Sequence, residues 1–273
     1  MNAEYLYIAI DASLRAGREI LAIYNDPASD FQVERKADNS PLTIADRRSH
    51  EIISKALSQT PYPVLSEEGK HLPYEERRAW HTLWIVDPLD GTKEFIKRNG
   101  GFTVNIALVT DGVPVAGVIY VPVTKELYFA AEGLGAYKLE NVENLNAFPD
   151  MQKLKAASMR LPHATHPDFV VVASLSHSTP ETEEYIARLR TAHPDLRLVT
   201  VGSSLKICLV AEGKADVYPR FAPTMEWDTA AGHAIARMAG FNIFRADGEV
   251  HEPLQYNKEN LLNPWFIVER PEA

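Results

Sequence analysis

The chain has 273 residues, 45% hydrophobic and 24% charged, with 28 Lys and Arg against 37 Asp and Glu for a formal net charge of -9. This is the composition of a globular protein able to bury a sizeable core, and its acidity excludes nonspecific binding to a nucleic-acid polymer, which needs a positive surface. The lone cysteine, Cys208, excludes an intrachain disulfide, and no stretch approaches the roughly 18 apolar residues of a membrane span.

Leu6, Ile10, Leu14, Gly17, Leu21 and Tyr24 recur at spacings of three and four, which predicts a first amphipathic helix ended by Asn25-Asp26-Pro27. Glu4, Asp11, Arg15, Arg18 and Glu19 interrupt it, so it does not read as a signal peptide. A second helix is expected from Asp46 to Ser58, with Ser49, Ile52, Ile53 and Ala56 on one face. Val64-Leu65 and Leu83 to Val86 read as buried strands that deliver carboxylates at their ends. Phe102 to Thr110 alternates strictly, Asp111-Gly112 follows, and Val113 to Val121 completes a hairpin. Lys125 to Ala131 adds a third strand.

The rhythm then changes. Strands are expected at 169–173, 197–201, 215–218, 241–244 and 265–268, and helices at 180–190, 203–211 and 228–239. The fold class is therefore α/β overall, with an α+β first half (1–150) and an α/β second half (151–273) sharing one continuous layered core. The join is placed in the polar stretch 141–165.

The sharpest local feature is Trp84-Ile85-Val86-Asp87-Pro88-Leu89-Asp90-Gly91-Thr92. Pro88 is expected to fix a turn, which would bring Asp87 and Asp90 to one small space. Two such carboxylates repel unless one is protonated or a divalent cation lies between them. Magnesium prefers hard oxygen ligands, and the Leu89 carbonyl offers a neutral one. Taken alone, the same residues also make an ordinary turn. Glu67-Glu68 after one apolar run, and Glu226 and Asp228 at the start of an Ala-rich helix, supply further carboxylates. Asp228 also suits a helix N-cap, and Glu68 and Glu226 read as surface or supporting residues. His233 reads as structural, since magnesium favours oxygen over imidazole.

Leu-Ser-Glu-Glu-Gly at 65–69, the 84–92 segment and Trp-Asp-Thr-Ala-Ala-Gly-His-Ala at 227–234 together resemble the inositol monophosphatase superfamily over nearly the whole chain. Lys36-Ala37-Asp38-Asn39-Ser40-Pro41-Leu42-Thr43-Ile44-Ala45-Asp46, Gly91 to Arg98 and Val201 to Lys206 are similar to its bacterial CysQ branch, the 3'(2'),5'-bisphosphate nucleotidases. Gly69 departs from that branch, where some members have an acidic residue.

The resemblance implies a layered αβαβα sandwich and a lithium-sensitive phosphomonoesterase using two or more Mg2+ ions. Its substrate would be a small nucleotide bisphosphate, adenosine 3',5'-bisphosphate, with the sulfated analogue PAPS as a second candidate. It implies one ion on Glu67, Asp87 and the Leu89 carbonyl, and a second on Asp87, Asp90 and Asp228. Thr92 would relay a proton, with Asp46 as its partner and Glu67 helping to orient the water. Glu67, Leu89, Asp90, Gly91, Thr92, Asp228, Ser203, Ser204 and Lys206 would contact substrate, although Ser203 and Ser204 equally suit a helix start. Lys93, Lys97 and Arg98 are further cations whose role the sequence leaves open. Within the fold, an inositol or sugar phosphatase is the alternative; outside enzymes, a catalytically silent nucleotide-binding module. The expected location is cytoplasmic, free or peripheral on the cytoplasmic side of the inner membrane.

Overall fold

A computed structural model describes residues 2–35, 41–70, 72–174, 179–247 and 251–271. The expectation attached to residues 36–40 lies outside the described residues.

The first amphipathic segment forms α1 (Ala3–Tyr24), opened by the Asn2 side chain accepting from the Glu4 N–H. A two-stranded ribbon, β1 (Glu34–Arg35) and β2 (Pro41–Leu42), leads into α2 (Ile44–Leu57). Thr43 caps α2 and the Asp46 carboxylate returns a bond to the Thr43 N–H. Next come β3 (Val64–Ser66), the short helix α3 (Tyr74–Arg77), β4 (Thr82–Asp90) and α4 (Thr92–Ile96). The meander continues through β5 (Thr103–Thr110), β6 (Val113–Val121), β7 (Glu126–Ala131) and β8 (Gly135–Leu139). Asp111 (φ 48°) and Gly112 (φ 77°) both hold positive φ between β5 and β6, the two-residue turn whose twist suits a hairpin.

The polar stretch expected as a join contains α5 (Met151–Ala156) and β9 (Met159–Arg160), and β9 pairs with β8. Sheet order is β3-β4-β5-β6-β7-β8-β9, parallel only between β3 and β4. The rest of the chain alternates β10 (Val170–Ser174), α6 (Pro180–Ala192), β11 (Arg197–Val201), α7 (Leu205–Glu212), β12 (Tyr218–Arg220), α8 (Glu226–Met238), β13 (Asn242–Arg245) and β14 (Phe266–Glu269). Parallel β10 and β11 join the antiparallel β12-β14-β13 set through a bridge from Val171 to Val217.

Side-chain alternation turns these strands into layers. Trp84, Val86, Val104, Ile106, Val118 and Tyr120 face α1 and α2. Leu83, Ile85, Ala107, Val109 and Ile119 face the opposite way, onto α7 and α8, where Val170, Val172, Tyr218 and Phe266 of the second sheet close the same core. Beyond that sheet, Val171 and Val217 pack on Ile186 of α6. The result is the expected αβαβα sandwich. Gly117 lets α8 press onto β6: a Cβ there would lie 2.3 Å from the Ala231 carbonyl oxygen. Among the described residues no helix is long and apolar enough to cross a membrane.

One local expectation is corrected. Pro88 does not fix a turn; β4 runs on through Asp87-Pro88-Leu89-Asp90, and its register against β5 shifts between Asp87 and Asp90. An irregularity of this kind re-aims side chains without ending the strand. The Pro88 carbonyl accepts from the Ser49 hydroxyl of α2 at 2.7 Å, so this segment is held by the helix layer behind it.

Candidate active site

The C-terminal end of β4 opens into a cleft of about 330 Å³ whose lining includes Glu67, Asp90, Gly91, Thr92, Ser203, Ser204, Lys206 and Asp228. Three chain regions meet there. Glu67 follows β3, with its N–H donating to the Val86 carbonyl at 3.1 Å. Asp87 and Asp90 come from β4. Asp228 sits in the first turn of α8 and accepts from the Met225 N–H at 2.8 Å.

Asp87 is only 1% exposed, and one of its oxygens accepts from the Leu89 N–H at 3.0 Å. Burial pushes its carboxyl well above the usual range, and Glu67, Asp90 and Asp228 push it further; Glu67 is also hydrogen-bonded to it. Asp228 is raised to about 8, by burial first and then by Asp90 and Glu67. Asp90 is raised by burial, although Lys206 and the Ser204 N–H pull it back. Carboxyl groups that oppose one another's ionisation in this way are relieved by a bound cation. The donors are all oxygen, which suits Mg2+. Among the described residues, no three acidic side chains are already drawn into a closed coordination cage.

Gly91 has φ 95°, a left-handed conformation that glycine adopts without strain, and α4 begins at Thr92. The Thr92 hydroxyl donates to Asp46 Oδ1 at 3.1 Å, while Asp46 Oδ2 accepts from the Thr43 N–H at 2.7 Å. Burial raises the Asp46 carboxyl to about 6, against the opposing effect of its bonds from Thr43.

The segment 203–206 divides in two. Ser203 lines the cleft at φ 44°, and its buried hydroxyl finds no partner among the described residues. Lys206, 6% exposed, donates to the Ser203 carbonyl at 2.6 Å. Burial lowers its ammonium to about 8 against the pull of Asp90. Ser204, expected as a substrate contact, is in the cleft lining, where its N–H and hydroxyl have protein partners. Its N–H donates to Asp90 Oδ2 at 2.7 Å, and its hydroxyl joins Thr103 (2.8 Å) and Asn105 (2.9 Å). Its polar groups are thus committed to holding Asp90 in place.

Other positions resolve similarly. His233 is structural, bonded to the Tyr256 hydroxyl at 3.0 Å and to Asn242 at 2.6 Å. Glu226 is no surface residue: it is 0% exposed and accepts from the Asn257 and Lys258 N–H groups at 2.6 and 3.0 Å. Arg98 bonds the Tyr24 carbonyl and stacks over Phe31, 4.6 Å from the ring centre. Lys93 reaches the cleft lining, and Lys97 stays exposed outside it. Sequence reasoning missed Arg220, which lines the cleft from the end of β12 with a buried Nε that has no partner among the described residues. The signal was present, since Tyr218-Pro219-Arg220 is an apolar strand ending in a charge, as β4 ends at Asp90.

The inositol monophosphatase family profile matches residues 1–269. The chain belongs to the inositol monophosphatase family. It is 46% identical over 256 residues to the 3'(2'),5'-bisphosphate nucleotidase CysQ of Salmonella typhimurium, an overlap of 93% of this chain and 94% of that protein. Among solved structures it is similar to CysQ from Bacteroides thetaiotaomicron, with TM-score 0.93, 63% identity and coverage of 100% of this chain and 99% of that one. It is also similar to the suppressor protein suhB from Bartonella henselae, with TM-score 0.70, 26% identity and coverage of 98% and 94%.

Proposed function

We propose that this family member is a metal-dependent 3'(2'),5'-bisphosphate nucleotidase that hydrolyses adenosine 3',5'-bisphosphate to AMP and phosphate. Phosphatases of this family depend on metal, generally Mg2+. The observation that carries the reading is one cleft with an acidic end, lined by Glu67, Asp90 and Asp228 with Asp87 buried beside them, and with the cations Lys93, Lys206 and Arg220 in the same lining. A substrate with two phosphates matches that division: the acidic end needs a cation to accept one phosphate, and the basic residues can accept the other directly. The curated relatives named as bisphosphate nucleotidases support the same assignment.

Glu67, Asp87 and the Leu89 carbonyl would hold one Mg2+, and Asp87, Asp90 and Asp228 a second, with Asp87 shared. Bound there, the ions would neutralise phosphate charge and make water a better nucleophile at neutral pH. Thr92 takes the proton of the attacking water while its own hydroxyl proton passes to Asp46 Oδ1, 3.1 Å away. Glu67 orients that water. Gly91 and Thr92 offer backbone N–H groups to the phosphate being cleaved, while Ser203 and Lys206 contact the nucleotide. Because Asp228 completes a set begun by Glu67, residues 1–150 and 151–273 act as one catalytic unit.

The test is phosphate release from adenosine 3',5'-bisphosphate, PAPS, inositol 1-phosphate and fructose 1,6-bisphosphate, each with and without Mg2+. The bisphosphate nucleotide is expected to be the best of the non-sulfated substrates, with activity lost to chelator and restored by Mg2+. Better turnover of inositol 1-phosphate than of the nucleotide overturns the reading. Nucleotide binding without turnover favours a silent module instead.

A further inference from the structure

At the end of α7 remote from the cleft, a charged cluster is buried between the two sheets. Glu212, the last residue of α7, is 1% exposed, and so is Lys138 of β8. Glu212 Oε1 accepts from the Tyr128 hydroxyl at 2.7 Å. Its Oε2 lies 3.4 Å from Lys138 Nζ, 2.6 Å from Lys214 Nζ and 3.5 Å from His163 Nε2. Lys138 is also paired with Glu126 at 2.5 Å and Glu140 at 3.4 Å. Tyr128 and Lys138 are direct cross-strand partners on β7 and β8. The Glu212 carbonyl adds bonds from the His163 and Ala164 N–H groups at 3.0 and 2.9 Å. The C-terminal end of α7 is therefore tied to the first sheet by its side chain and to the segment that follows β9 by its backbone.

At its other end, α7 is tied to the cleft by the Ser204 N–H on Asp90 at 2.7 Å. Its second residue, Lys206, lies in the cleft lining. Between the two ends it lies flush on α8, where a Cβ at Gly232 would come within 2.7 Å of Ile207. Eight residues of helix span only about 12 Å and bend little over that length. A displacement at Glu212 is thus carried to Lys206. Apolar residues of the same size would hold a helix at least as stably as a buried ion pair. Directional bonds add a fixed position along the helix axis, which apolar packing specifies less sharply.

We propose that Tyr128, Glu212 and Lys138 are positioning residues for substrate binding: by fixing the far end of α7 they place Lys206 for the phosphate that is not cleaved. The inference rests on the nucleotidase reading above and adds the residues that tune its affinity.

The experiment compares KM and kcat for adenosine 3',5'-bisphosphate and adenosine 3'-monophosphate in Mg2+. The enzymes are wild type, Tyr128→Phe, Glu212→Gln and the double variant Glu212→Gln/Lys138→Met, each checked for folding by circular dichroism. Tyr128→Phe and Glu212→Gln are expected to raise KM for the bisphosphate by roughly fivefold to tenfold, the scale of one misplaced charge-assisted bond. KM for the monophosphate, and kcat for both, should stay within about twofold, because none of the acidic cleft residues is substituted and the Ser204 N–H still anchors Asp90. The double variant removes both buried charges and with them the directional tie between β8 and α7, so its bisphosphate KM is expected to stay raised at least as far as in Glu212→Gln. Folded variants whose KM values are unchanged, or rise in parallel for both nucleotides, overturn the inference while leaving the nucleotidase reading intact. A wild-type enzyme that releases phosphate from neither nucleotide overturns both. If a single variant does not fold, a folded double variant with a bisphosphate KM raised as much as the monophosphate KM overturns the inference alone.

Discussion

Asp46 uses its two carboxylate oxygens for different tasks. Oδ2 closes the N-terminal turn of α2 by accepting from Thr43, and Oδ1 accepts from the Thr92 hydroxyl at 3.1 Å. The helix-start role and the proposed relay role, which compete when only the sequence is read, are compatible in one side chain. Asp46→Asn tests the division. An amide can still accept from Thr43, but its NH2 would then face Thr92 and could take no proton. Turnover of adenosine 3',5'-bisphosphate should fall about a hundredfold or more with KM little changed, while thermal unfolding shifts by about 1 kcal/mol or less. A variant with wild-type kcat removes Asp46 from the mechanism. At this scale the acidic residues were legible because Glu67, Asp87, Asp90 and Asp228 each end an apolar run or open a helix. Ser204 was not, since its partners Asp90, Thr103 and Asn105 lie about a hundred residues away. Glu226 was hidden in the same way, its donors being 31 and 32 residues further along the chain.

Among the elements, long periodic ones were readable and short polar ones were not. The spacing in 6–24 gives α1, and alternation plus Asp111-Gly112 gives the β5–β6 hairpin. The strand β8 escaped because Lys138 occupies one of its buried positions, where a pattern search expects an apolar side chain; Glu126 and Glu212 make that burial tolerable. Close packing of α8 on the first sheet yields a stability prediction. Gly117→Ala places a methyl group 2.3 Å from the Ala231 carbonyl oxygen, so helix and strand must part. Such overpacking costs about 1–3 kcal/mol, read as a lower urea midpoint; an unchanged midpoint would show that the layers yield freely. Also in α8, burial holds the His233 imidazole down at about 4 from its ordinary 6.5. The unfolded chain takes up that proton more readily, so the neutral histidine's contribution is complete above 6.5 and is lost as pH falls through about 4. The loss is roughly 3 kcal/mol across that window. His233→Gln removes it. The stability gap between wild type and variant should therefore move in the variant's favour on acidification from pH 7 to pH 4; a pH-independent gap contradicts the burial argument.

For the whole molecule, the change of rhythm near residue 150 was visible, and the resemblance supplied the layer order. What local patterns do not contain is how tightly the layers share cores. Strands of the first sheet, α7, α8 and strands of the second sheet contribute to one hydrophobic cluster. A molecule built this way should unfold as a unit. Near-ultraviolet and far-ultraviolet circular dichroism are expected to trace one coincident urea transition; two separated transitions would mean that the two halves stand independently.

The same sharing governs when the enzyme can first work. Glu67, Asp87 and Asp90 leave the ribosome long before Asp228, and the Ser204 N–H that steadies Asp90 arrives only after the first sheet has been synthesised. A nascent or prematurely terminated chain that stops short of α8 carries most of the acidic residues but not the full set. On the proposed reading, catalytic competence is a late checkpoint on synthesis, passed only once α8 has been made.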